Sequence, residues 1–77
     1  MKEIYLIHLK AKESAMVKDI HGGDGVTRRL EGLGIRPGKK VTMISAHFWR
    51  GPVTIMIDKS KVAIGHSMAQ KIIVEVP

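Results

Sequence analysis

Four histidines, His8, His21, His47 and His66, are the side chains in this sequence best suited to hold a metal ion, and their spacing works against it. None pair as His-x-His or at four residues apart on a helix, the arrangements that bring two imidazoles to one ion. The sequence has no cysteine, which removes thiolate ligands, a disulfide framework and a thiol nucleophile together. A site gathered from distant segments would need His47 or His66 beside a carboxylate; isolated surface or partly packed histidines are the plainer reading, so no metal site is expected. The serines Ser14, Ser45, Ser60 and Ser67 do not sit in a strand–turn–helix elbow. The carboxylates mostly neighbour lysines, as in Lys12-Glu13 and Lys18-Asp19, the ordinary pattern of a solvated face. Gly22-Gly23-Asp24-Gly25 resembles a phosphate-cradling loop only in its glycines, because no Lys-Ser or Lys-Thr closes it and no strand–helix–strand unit surrounds it. No catalytic residue and no cofactor follow, and a chain of 77 residues seldom forms the deep pocket that catalysis prefers.

What remains is binding. The formal net charge of +6 favours an acidic partner, whether nucleic acid, an anionic membrane surface or an acidic protein face. A lysine-rich solvated surface gives the same count. Nucleic acid is disfavoured. The only aromatics are Tyr5, Phe48 and Trp49, too few to stack successive bases, and neither a helix-turn-helix pair nor an aromatic-rich sheet is present. Phe48-Trp49-Arg50 is either an exposed loop tip or a plug for one end of the fold, and both remain open. No apolar run approaches the ~18 residues of a membrane span, and His8 and Lys10 arrive too early for a signal peptide, so a soluble cytoplasmic protein is expected.

The scaffold beneath these residues must be a single small domain over residues 1–77. Strand-like alternation marks Val53–Asp58 and Lys71–Val76 clearly, Lys40–Ser45 and Lys61–Ile64 more weakly, and Ser14–Ile20 as a fifth candidate. Arg36-Pro37-Gly38-Lys39 suits a type II turn, and Asp58-Lys59-Ser60-Lys61 links two strands as a hairpin. Five short strands with tight links suggest a small barrel, since closure hides sheet edges. One helix interrupts them, with Val26, Leu30 and Leu33 on one face, Asp24 as N-cap, Gly34 in the left-handed position past its end and Ile35 as hydrophobic partner. Its face should cover a barrel lined by Val41, Val53, Ile55, Ile57, Val62, Ile64, Ile72 and Val74. Arg28 falls nearly opposite that face and Arg29 on its flank. Ser67 and Gln70 have capping-box spacing for a helical turn before the last strand.

The run from Gly25 to Gly38, an Arg-Leu helix followed by Leu33-Gly34-Ile35-Arg36-Pro37-Gly38, resembles the signature of the FeoA family. Gly51-Pro52-Val53-Thr54-Ile55 is similar to that family's Gly-Pro-strand, and Val62–Glu75 to its closing strand, helical turn and strand. The resemblance covers Leu6 to Glu75. It implies an SH3-like β-barrel of about five strands and a non-enzymatic cytoplasmic role assisting the FeoB ferrous-iron transporter, with homo-oligomers allowed. The alternative it implies is a metal-responsive regulatory domain related to the C-terminal part of iron-dependent repressors, in contact with nucleic acid. Candidate partner-binding residues are Arg28, Glu31, Arg36, Lys39, Phe48, Trp49 and Arg50. Two departures from the family pattern stand out: Lys12 where the family usually has Gly, and Gly65-His66 where many members have Leu-Arg.

Overall fold

The computed structural model describes residues 1–46 and 51–77. The alternatives for Phe48 and Trp49, like the role of Arg50, fall outside the described residues. Along the chain run β1 (Lys2–Tyr5), a 3-10 turn (Leu6–His8), β2 (Ser14–Ile20), α1 (Asp24–Gly32), β3 (Lys40–Ala46), β4 (Val53–Ile57), β5 (Ser60–Ile64), α2 (His66–Ala69) and β6 (Ile72–Val76). The strands form one antiparallel sheet in the order β1-β6-β2-β3-β4-β5. The architecture is the mainly β, SH3-like one that the sequence implies, with a sixth strand and an open ladder: β1 and β5 remain edges. β1 escapes sequence reading because only Ile4 in it is even half-buried; pairing with β6, Ile4 against Val74, is what holds it.

The core is built from alternation. Val53, Ile55 and Ile57 are buried on β4 while Thr54 and Met56 are half-buried on the other side, as a strand with one covered face requires. Val41, Ile64, Ile72 and Val74 join them as expected, whereas Val62 is only half-buried against the cluster. Leu6 and Leu9, from the turn after β1, are core residues that periodicity did not reveal. Among the described residues no polar or charged residue is fully buried, although the Nδ1 atom of half-buried His66 is.

Helix α1 is fixed at its C-terminal end. Gly34 adopts φ +90°, which lets its N–H donate to the Glu31 carbonyl at 2.9 Å and the Ile35 N–H donate to the Leu30 carbonyl at 2.9 Å. These two bonds are the Schellman pattern, and its hydrophobic contact joins Leu30 to Ile35, both 0% exposed. Ile35 thereby takes the core position that sequence reading gave to Leu33, which is 40% exposed. The N-terminal end also differs. Gly23, not Asp24, is the cap, since its carbonyl accepts the first helical bond from the Thr27 N–H at 3.1 Å. Asp24 lies in the first turn, where its charge suits the helix dipole. Likewise the cap of α2 lies two residues before the expected Ser67, at Gly65, so the helix starts at His66; this phase sends Ala69 into the core.

Two turns tie the strands to one another. In Arg36–Lys39 the Lys39 N–H donates to the Arg36 carbonyl at 3.1 Å and Gly38 has φ +93°, as a type II turn requires. The Gly38 N–H then donates to the Val17 carbonyl at 2.9 Å, docking the turn on β2. In Lys10–Glu13 the Glu13 N–H donates to the Lys10 carbonyl at 3.0 Å, and the Glu13 carboxylate accepts from the Lys10 N–H at 2.6 Å. Lys12 there carries φ +74°, a left-handed conformation that glycine takes freely and a lysine does not.

Two stability tests follow from this geometry. Leu30→Ala should destabilise by about 2–5 kcal/mol in urea unfolding, and Leu33→Ser by less than about 1 kcal/mol, because only the first empties a core site; equal losses would contradict the seating of Ile35. Lys12→Gly should relieve about 1–2 kcal/mol of left-handed strain against about 0.5–1 kcal/mol of added chain entropy. A small rise in the urea midpoint is expected, and a fall would show that Lys12 is not strained.

Candidate functional site

Of the expected partner-binding residues, the structure describes Arg28, Glu31, Arg36 and Lys39. Arg28 and Glu31 project from α1 and are exposed, as is Arg36 at the start of the turn after it. Among the described residues Arg28 and Glu31 form no ion pair, so the helix presents them separately. Lys39 is committed elsewhere. Its Nζ lies 3.2 Å from both Asp58 carboxylate oxygens, linking the Pro-Gly turn to the β4–β5 hairpin. With Lys39 and Asp58 side chains 38% and 66% exposed, water screens that pair and its contribution to stability is small. Phe48, Trp49 and Arg50 lie outside the described residues.

What the structure does bring together is α1 and α2. Gly25, Val26 and Arg29 from α1 and Met68 from α2 line an open groove of about 360 Å³. Arg29 is exposed, yet it reaches this groove, which agrees with a flank position where its stem covers Val26 while its head stays in water. Leu33 lies one turn beyond Arg29 at i+4, so the same helix flank carries an apolar contact point. Neither the groove nor Leu33 was legible as a site, because the groove depends on a contact between segments some 40 positions apart.

Of the histidines, the structure describes His8, His21 and His66, and His47 lies outside the described residues. Tyr5 stands between His8 and His21, each ring centroid 6.4 Å from its own in an edge-on arrangement, and His21 Nε2 lies 3.4 Å from Asp19. His66 Nδ1 is buried without a hydrogen-bond partner among the described residues. Among those residues no three His, Asp or Glu side chains converge, and no helix is long and apolar enough to cross a membrane.

A six-stranded SH3-like sheet, a Schellman-closed helix and a second helical turn before the last strand define a small β domain. The FeoA domain model matches residues 4–76, and the chain belongs to the FeoA family. It is 40% identical over 70 residues, 91% of this chain and 83% of the other, to a Methanocaldococcus jannaschii protein provisionally named Fe(2+) transport protein A. The fold superposes on the crystal structure of an iron uptake regulatory protein, FeoA, with TM-score 0.90 and 24% identity, covering 96% of this chain and 97% of that one. It also superposes on a manganese-dependent transcriptional repressor, TM-score 0.87 at 20% identity, covering 95% of this chain but 41% of the repressor. The chain is thus similar to iron-transport accessory proteins over its length and to one portion of a larger regulator by fold.

If the Arg29 stem covers Val26, Arg29→Ala should lower the thermal midpoint while Arg29→Lys, which keeps most of the stem, should restore it. Melting of both variants against the wild type checks this; an unchanged midpoint in Arg29→Ala would place the arginine wholly in solvent.

Proposed function

We propose that this chain is a non-enzymatic cytoplasmic accessory protein of ferrous-iron uptake that acts by docking on the FeoB transporter through the exposed side of α1 and the turn that follows. The observation that carries the reading is the pairing of Arg28, Arg29 and Arg36 with the 40% exposed Leu33 on a helix locked at its C-terminal end. Interfaces combine an apolar anchor with a charged rim, and a rigid element loses less freedom on binding than a loop would. The family membership and the relative's name, Fe(2+) transport protein A, support the iron-transport setting.

The likeness to a manganese-dependent repressor favours a second reading, in which the domain regulates in response to metal and touches nucleic acid. The scarcity of aromatics and the mixed charges of α1, Asp24 and Glu31 against Arg28 and Arg29, weigh against it.

Co-purification with the transporter from detergent-solubilised membranes, with and without ferrous iron, separates the two. Arg28→Glu should keep its fold, since exposed substitutions change stability by about 0.5 kcal/mol or less. Its recovery with the transporter should drop about 5–10-fold, roughly the 1 kcal/mol a rim charge contributes. Wild-type recovery of Arg28→Glu would reject the α1 surface. A sequence-specific duplex complex at physiological salt would instead establish the regulatory reading.

A further inference from the structure

The outer face of the sheet carries a charge pattern that uses none of the α1 residues. Met16 on β2 stands directly opposite Lys40 on β3 and directly opposite Glu75 on β6. Their neighbours Ala15, Val17, Val41 and Val74 are buried, so alternation turns Lys40, Met16 and Glu75 outward together. Met16 is 44% exposed at the centre of this row. Strands about 4.8 Å apart put the cation and the carboxylate on either side of it, about 10 Å from each other. Glu3, opposite Glu75 on β1, extends the negative end. Beyond Lys40, Asp58 already has its charge taken up by Lys39. The row therefore reads positive, apolar, negative, and a hollow of about 490 Å³ opens beside Met16 between Lys40 and Glu75.

We propose that this face binds a second copy of the chain, as an isologous dimer whose twofold axis runs along β2 at Met16. A face meets itself only by rotation about an axis lying in the contact plane. Turning about an axis parallel to β2 lays each Lys40 against the partner's Glu75 and Met16 against the partner's Met16. Turning about the perpendicular axis opposes Lys40 to the partner's Lys40 and Glu75 to the partner's Glu75, so like charges exclude it. The thioether is well suited to the axis, because Met repacks against an identical side chain without a fixed shape. Glu75 is also 3.9 Å from Lys18, a long contact that leaves its carboxylate free to accept from a second ammonium. One row and its margins make a small contact, so the dimer is a weak one.

Sedimentation velocity over about 10 µM to 1 mM at low salt tests the proposal, this being the range where small interfaces associate. Wild type should show a reversible dimer that weakens as salt rises. Lys40→Glu and Glu75→Lys should each raise the dimer Kd at least about tenfold, equivalent to about 1.4 kcal/mol. The double variant should return to within about threefold of wild type, since exchanging the two charges restores both pairs. Lost Lys18 contact in Glu75→Lys cannot produce that recovery. Met16→Glu, exposed and on the axis, should abolish dimerisation with an unchanged thermal midpoint. A wild type that stays monomeric throughout, a double variant as weak as the singles, or a dimer insensitive to all of these changes would overturn the assignment.

Discussion

The left-handed turn at Gly34 sets the rest of the molecule. Because its φ is +90°, the Ile35 N–H reaches back to the Leu30 carbonyl and the two side chains close on each other in the core. A residue with a Cβ would resist that conformation by about 1–2 kcal/mol, a large fraction of the stability a domain of this size has. Three consequences follow from the one turn. The helix is rotated so that Leu30 is inward and Arg28 outward; Leu33 is left half in water; and the chain is aimed at the Pro37-Gly38 turn, whose N–H meets Val17 on β2.

The same economy appears in the sheet. With no cysteine and three aromatics in the sequence, burial must be supplied by aliphatic side chains, and fifteen apolar residues form one continuous cluster. Local turns hold its edges by main-chain bonds: the Lys12 N–H to the Met43 carbonyl at 2.7 Å and the Met43 N–H to the Glu13 carbonyl at 2.9 Å join the first turn to β3. Keeping Lys12 at positive φ is tolerated because three such bonds and the Lys10 N–H to Glu13 carboxylate bond surround it. At Lys12 the chain thus has a strained residue held by its context.

Reading from sequence succeeded where the signal is local and failed where it is not. Val53, Ile55 and Ile57 could be assigned to one face because one side of β4 is covered and the other is not. Gly34, Ile35, Pro37 and Gly38 could be placed because each turn type demands its residue at a fixed offset. Leu33 was misplaced because a helical period, extrapolated through the helix end, ignores the change of direction that Gly34 imposes. β1 was missed because its order comes from β6, some seventy positions away, and not from its own pattern. For the site, the outward position of Arg28 was readable from helix geometry alone, whereas the commitment of Lys39 to Asp58 was not, since it joins two turns 19 positions apart. The groove between α1 and α2 and the Lys40-Met16-Glu75 row belong to the same class: each is fixed by pairing between distant segments.

Among the described residues every charged side chain is at least partly exposed, and that bears on what kind of binding the proposed surfaces can achieve. Charges in water contribute about 0–1 kcal/mol each and are screened within about 8 Å at physiological salt. On the proposed docking surface, charges therefore steer and orient a partner more than they hold it. Among the described residues, retention falls to the apolar groups left partly uncovered, such as Leu33 beside the helix groove, Met16 on the sheet and Tyr5 on β1. An accessory protein needs that division: charges that bring it quickly to its target, and an anchor small enough that it leaves again. A larger apolar patch would have bound more tightly and released more slowly.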